Sequence, residues 1–139
     1  MDVAAIRVNL ALVGDTVGLN HWDYMVDDPG GLPAMIVEGI RSMRRLNKIV
    51  TELEIEIGFY ANNAEPKDAA RRLDGLLSIG MSPGVSFIDA LDAFTEGNPA
   101  NTGAYWRSCR FVSAGPYRRV SMPDNAVALG CSTVWALTA

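Results

Sequence analysis

Three carboxylates fall at every second position in the stretch TELEIEIGFY, residues 51 to 60: Glu52, Glu54 and Glu56, with Leu53, Ile55, Ile57 and Phe59 on the alternate side. Alternation this strict belongs to a β-strand with one buried and one outward face. Paired carboxylates can hydrolyse glycosidic bonds, but only when two of them face each other across a cleft in unlike environments. Three along one strand do not meet that need. Like charges at this spacing, roughly 7 Å apart, repel by about 0.6 kcal/mol in water and about 2.4 kcal/mol at an effective dielectric of 20. The row is therefore solvated, or paired with cross-strand Arg or Lys, or kept negative for a purpose.

The remaining groups with chemical capacity are few. His21 is the single histidine, and Asp23, Asp27 and Asp28 follow it closely. A metal or acid–base site assembled there is the enzymatic alternative to a surface histidine beside turn aspartates. None of the patterns GxSxG, HExxH, CxxC, GxxxxGK[ST] or GxGxxG occurs, and the glycines fall at turns. Arg41, Arg44, Arg45 and Lys48 cluster within IRSMRRLNK. That cluster is able to hold phosphate or to dock on an acidic neighbour, but it is short and poor in aromatics for a nucleic-acid module. Trp22, Trp106 and Trp135 read as core or sheet-edge packing rather than a ligand cage. Cys109 and Cys131 lie far apart and read as free thiols of a reducing compartment, with a cross-strand disulfide as the alternative. The residues thus point to a non-enzymatic protein with polarised surfaces, with no cofactor and no metal.

A chain of 139 residues suits one domain, 1 to 139. At that size roughly 65–70% of the unfolded surface is buried on folding, so packing alone suffices for stability. Hydrophobic residues make up 49% and charged residues 20%, which excludes wholesale disorder. No apolar run approaches the roughly 20 residues that span a bilayer, and the N-terminus does not read as a secretion signal. The net charge of −4 gives no overall basic footprint for nucleic acid.

The elements that must position these residues follow from periodicity. Val3, Ile6, Leu10 and Val13 predict a short amphipathic helix stopped at Gly14. An edge strand is expected around 22–26, a break at Pro29-Gly30-Gly31, and a buried strand over 33–39. The basic segment then forms the tip of an extended hairpin whose return strand is the acidic one. Pro66 opens a helix carrying Ala69, Leu73, Leu76 and Leu77. Ser82-Pro83-Gly84 starts another, with Val85, Ile88, Leu91 and Phe94 on one face, ending near Gly97. Residues 96–104 are a loop by composition, and strands return over 106–114, 117–122 and from Val127 to Leu137, with a Pro-Asp-Asn turn at 123–125. This order is α+β: a mostly antiparallel or mixed sheet with an N-terminal helix and two central helices packed on one face. The other face must find its own cover.

The order of segments WDYMVDD, PAMIVEG and EIEIGFYANNAEPKDAARRLDGLLS, with Arg72, Leu73 and Asp74 inside the last, resembles the tail terminator proteins of long-tailed bacteriophages, particularly of actinobacterial phages. CRFVSAGPYRRV and LGCSTVWALTA are similar to that family's closing strands. The likeness is one of segment order across nearly the whole chain, since the family has no catalytic signature, and residues 39–48 match none of its motifs. It implies a virion protein, assembled in the host cytoplasm, that caps the tail tube as a homo-hexameric ring and ends its polymerisation. The ring would meet the tail tube protein and the head–tail connector protein, and genomic DNA would pass its channel without sequence-specific binding. In that setting Glu52, Glu54 and Glu56 face the channel or a channel-lining interface and repel phosphate, while Arg41, Arg44, Arg45 and Lys48 contact the tube or the adjacent subunit. A head-completion or connector protein of the same neck is the alternative.

Overall fold

The computed structural model describes residues 2–25, 30–78, 86–94, 106–122 and 127–139. Helix α1, Val3–Thr16, starts where the Asp2 carboxylate accepts a hydrogen bond from the Ala5 amide at 3.2 Å. This side chain satisfies one of the amides that a helix start leaves unpaired. Ile6, Leu10 and Val13 form its fully buried stripe. The helix does not stop at Gly14, which is instead a close-packing point: a Cβ there would come within 2.6 Å of the Met35 sulfur. It ends two residues later, and Gly18, at φ +76°, turns the chain in a conformation that favours glycine.

The edge strand β1, Asn20–Trp22, is shorter and earlier than its sequence suggests, and it pairs in parallel with β2, Ala34–Arg45. Strand β2 continues well past Gly39 and turns at residues 46–50 into β3, Thr51–Asn62, so the basic segment is paired strand as well as tip. Helix α2, Pro66–Leu77, begins with proline at its first position, where the missing amide is no loss, and buries Ala69, Leu73 and Leu76. Helix α3, Phe87–Ala93, is capped by the Ser86 hydroxyl. Its expected start at 82–84 and end near Gly97 lie outside the described residues, as do the 96–104 loop and the 123–125 turn.

Strands β4, Ser108–Ala114, and β5, Arg118–Ser121, lie along one side of β6, Val127–Thr138, while β3 occupies the other side. The sheet is open and mixed, in the order β1-β2-β3-β6-β4, with β5 continuing beyond β4 on the same flank of β6. All three helices cover one face. There Leu53, Ile55, Ile57 and Phe59 meet Leu73, Leu91, Trp106 and Trp135 in a single core. Phe87 packs edge-on against both Phe59 and Trp135, with ring centroids 5.0 and 5.1 Å apart. Such pairs contribute about 0.5–1.5 kcal/mol each beyond the area they bury.

Candidate functional site

Because β3 alternates without interruption, burying Leu53, Ile55 and Ile57 forces Glu52, Glu54 and Glu56 onto the face the helices leave open. Their neighbours on β6 are Thr138, Ala136 and Val134, so the carboxylates stand beside small or short side chains and are half-buried rather than splayed into water. Glu52 is held from both flanks. Arg44, its direct partner on β2, reaches it at 3.0 Å, and Arg110 of β4 reaches across Ala136 to its other oxygen at 3.7 Å. Both arginines are largely exposed, so each pair adds at most about 1 kcal/mol. Glu54 and Glu56 make no ion pair among the described residues. The uncompensated charge of the row therefore lies in its inner two members.

Further along the same face sits a group that the sequence does not advertise. Glu38 is the extra residue of a β-bulge between Val37 and Gly39, which turns its side chain across β3. Its carboxylate accepts hydrogen bonds from the Tyr60 hydroxyl at 2.8 Å and from the Ser132 hydroxyl at 3.2 Å. Gly58 lies beneath this bridge, where a Cβ would collide with the Glu38 carboxylate and approach the Tyr60 oxygen to 2.8 Å. The Tyr60 ring lies over Gly130, within 3.0 Å of where its Cβ would stand. Burial, followed by the Glu38 charge and hydrogen bond, pushes the Tyr60 phenol well up from its ordinary value. The available signal was the pair of glycines interrupting two otherwise well-formed strands, which marks a close approach by another group.

The basic residues project at the distal end of the sheet. Arg41, Arg44, Arg45 and Lys48 are all exposed; Arg41 is the extra residue of a second bulge, and Arg45 donates to the Lys48 carbonyl at 3.3 Å. Thus Arg44 belongs jointly to this cluster and to the acidic row, while the other three make no ion pair with Glu54 or Glu56. The tip itself is closed by Asn47, whose side-chain oxygen accepts from the amides of Ile49 and Val50.

The other residues singled out by type occupy structural positions. His21 lies on β1 with its Nε2 buried and without a hydrogen-bond partner, while the Asp23 carbonyl accepts from Arg7 at 2.9 Å. Asp27 and Asp28 lie outside the described residues, among which no group of His, Cys, Asp and Glu side chains is arranged to hold a metal ion. Trp106 and Trp135 are core residues that donate to the Leu91 carbonyl and the Thr133 hydroxyl; Trp22 is exposed at the sheet edge. Both cysteines are free thiols, and burial pushes each up from the usual thiol range, with an Asp92 hydrogen bond adding to the effect at Cys109. In the RRLD segment, Arg72 donates to the Val17 carbonyl at 2.9 Å, Leu73 is core, and Asp74 accepts from the Tyr117 hydroxyl at 2.6 Å. These contacts tie α2 to the end of α1 and to the strand flank. Among the described residues no helix is long and apolar enough to cross a membrane. No protein-family model matches this chain, and no curated protein matches it in sequence.

Proposed function

We propose that this chain is a non-enzymatic structural subunit of a long-tailed bacteriophage, which caps the tail tube as a hexameric ring and ends tube polymerisation. The ring would also offer the surface on which the DNA-filled head attaches. The observation that carries this reading is the sheet face that no described helix covers, with Glu54 and Glu56 outside any ion pair among the described residues. Fixed carboxylates without a cation of their own repel phosphates, so a duplex passing Glu54 and Glu56 slides without sticking, while Arg44 and Arg110 on the same face are engaged by Glu52. In this role Glu52 anchors the row through Arg44 and Arg110, and Glu54 and Glu56 supply the field. The resemblance in segment order adds the tail, and the exposed Arg41, Arg45 and Lys48 suit a contact with the tail tube protein or the next subunit. The head–tail connector protein is the partner on the opposite side, and the site of action is the tail or neck of the virion.

Removing the gene from an infecting phage should give tails of uncontrolled length by electron microscopy. Free tails of normal length beside unjoined heads would instead mark a head-completion or connector protein. Within assembled virions, Glu54→Lys with Glu56→Lys should slow DNA ejection several-fold, and unchanged ejection kinetics would remove the channel role of this face.

A further inference from the structure

Among the described residues, nearly all the large apolar side chains left exposed fall into two groups. One is on the β2–β3 hairpin: Ile40, Met43, Leu46 and Ile49, the last 72% exposed. The other is on the outer side of α1 and the β1 edge: Val8, Leu12, Trp22, Tyr24 and Met25, the last 62% exposed. Contiguous exposed apolar surface of this kind marks a contact site. The two groups are framed by opposite charges. The distal part of the hairpin, residues 40 to 50, carries Arg41, Arg44, Arg45 and Lys48 and no acid; the chain totals −4, so the rest of it, including Glu38, Glu52, Glu54 and Glu56 on the same two strands, carries −8. The α1–β1 group is bordered by Asp15 and Asp23, and its one cation, Arg7, is already engaged by the Asp23 and Val37 carbonyls and lies 4.5 Å above the Tyr24 ring. It also contains a depression of about 350 Å³ lined by Val8, Ala11, Leu12, His21, Trp22 and Asp23, with room for one large apolar side chain.

We infer that the hairpin of one copy of this chain docks on the α1–β1 surface of a second copy, with a tip residue such as Ile49 seated in the depression between Leu12 and Trp22. Charge selects this pairing over the symmetric ones. Tip against tip sets Arg41, Arg45 and Lys48 against their own copies, since Arg44 is held by Glu52, and the α1–β1 surface against itself sets acid against acid, whereas the tip against α1–β1 joins apolar to apolar and cation to carboxylate. Such a contact is heterologous: each copy offers one donor surface and one acceptor surface, and successive copies close into a ring when the rotation between them allows. The inference names the subunit contact of the ring proposed above and rests on that reading for its biological setting, though the surfaces themselves are read from side chains alone.

The test is the native mass of purified wild type, Ile49→Asp, Leu12→Asp and an equimolar mixture of the two variants, over a wide concentration range. Wild type should form species larger than a monomer that weaken with added salt. Each variant alone should be monomeric, and the mixture should give a dimer and nothing larger, because only one intact donor and one intact acceptor remain. Circular dichroism checks that both variants fold. Should either fail, Arg45→Glu with Lys48→Glu, and Asp15→Lys with Asp23→Lys, take their places, and combining all four changes in one chain should restore association. A wild type that stays monomeric throughout, variants that associate like wild type, or a mixture that stays monomeric each overturn the pairing. The two readings fail separately: association through these surfaces with normal tail lengths in the gene deletion removes only the tail assignment, and intact ring caps built from Ile49→Asp remove only this contact.

Discussion

At the scale of single residues, the open sheet face is organised by what lies across glycine. Gly58 lets the Glu38 carboxylate cross β3 to Ser132, and Gly130 lets the Tyr60 ring lie flat, so a polar cluster is built where two strands would otherwise present side chains. The same cluster makes a pH prediction. Tyr60 holds its proton in the folded protein because burial and then Glu38 disfavour the phenolate. Its folded value is therefore raised, and above about pH 10 the unfolded chain releases this proton first. The stabilisation is complete below that pH and is lost as pH rises further. Melting temperature should fall above pH 10 in the wild type and fall less steeply in Tyr60→Phe, as followed by circular dichroism. Parallel curves for the two proteins would contradict this account of the cluster. Little of it was legible in the sequence. The row Glu52, Glu54, Glu56 was visible through strict alternation, but the choice of Glu52 as the paired member depends on the register that sets Arg44 opposite it and on Arg110, which is remote in sequence.

At the scale of elements, periodicity read well and pairing read poorly. The stripes of α1 and α2, the inward set Cys131, Thr133, Trp135 and Leu137 of β6, and the alternation of β3 all follow from burial of one face, which local sequence encodes directly. The parallel pairing of β1, the bulges at Glu38 and Arg41, and the passage of α1 through Gly14 depend on what the other side of the contact supplies. Met35, for example, packs against Gly14, its sulfur within 2.6 Å of where a Cβ would stand. Arg72 is another cross-element tie. Its guanidinium joins α2 to the Val17 carbonyl just past α1, where the chain turns through Gly18 toward β1. Arg72→Ala should therefore lower stability by about 1.5–3 kcal/mol in urea unfolding, the range for a hydrogen bond involving a charged group. An unchanged midpoint would mean that the α1–β1 turn is held without it.

At the scale of the whole molecule, an open sheet with helices on one face leaves three things without a partner among the described residues: the Glu54 and Glu56 part of the outer face, the sheet edges and the projecting hairpin. Edge strands and exposed apolar arms invite association, and a soluble chain keeps them only where association is the purpose or is controlled. The proposed ring on a tube end would provide that control, since its members would need neighbours on both sides and a template beneath. The most direct measurement adds purified protein to purified, growing tail tubes, and combines native mass with electron microscopy of the tube ends. The account predicts a closed hexameric ring at one end of each tube and arrest of elongation. Tubes that keep growing, with the protein left in solution and no ring at their ends, would contradict it.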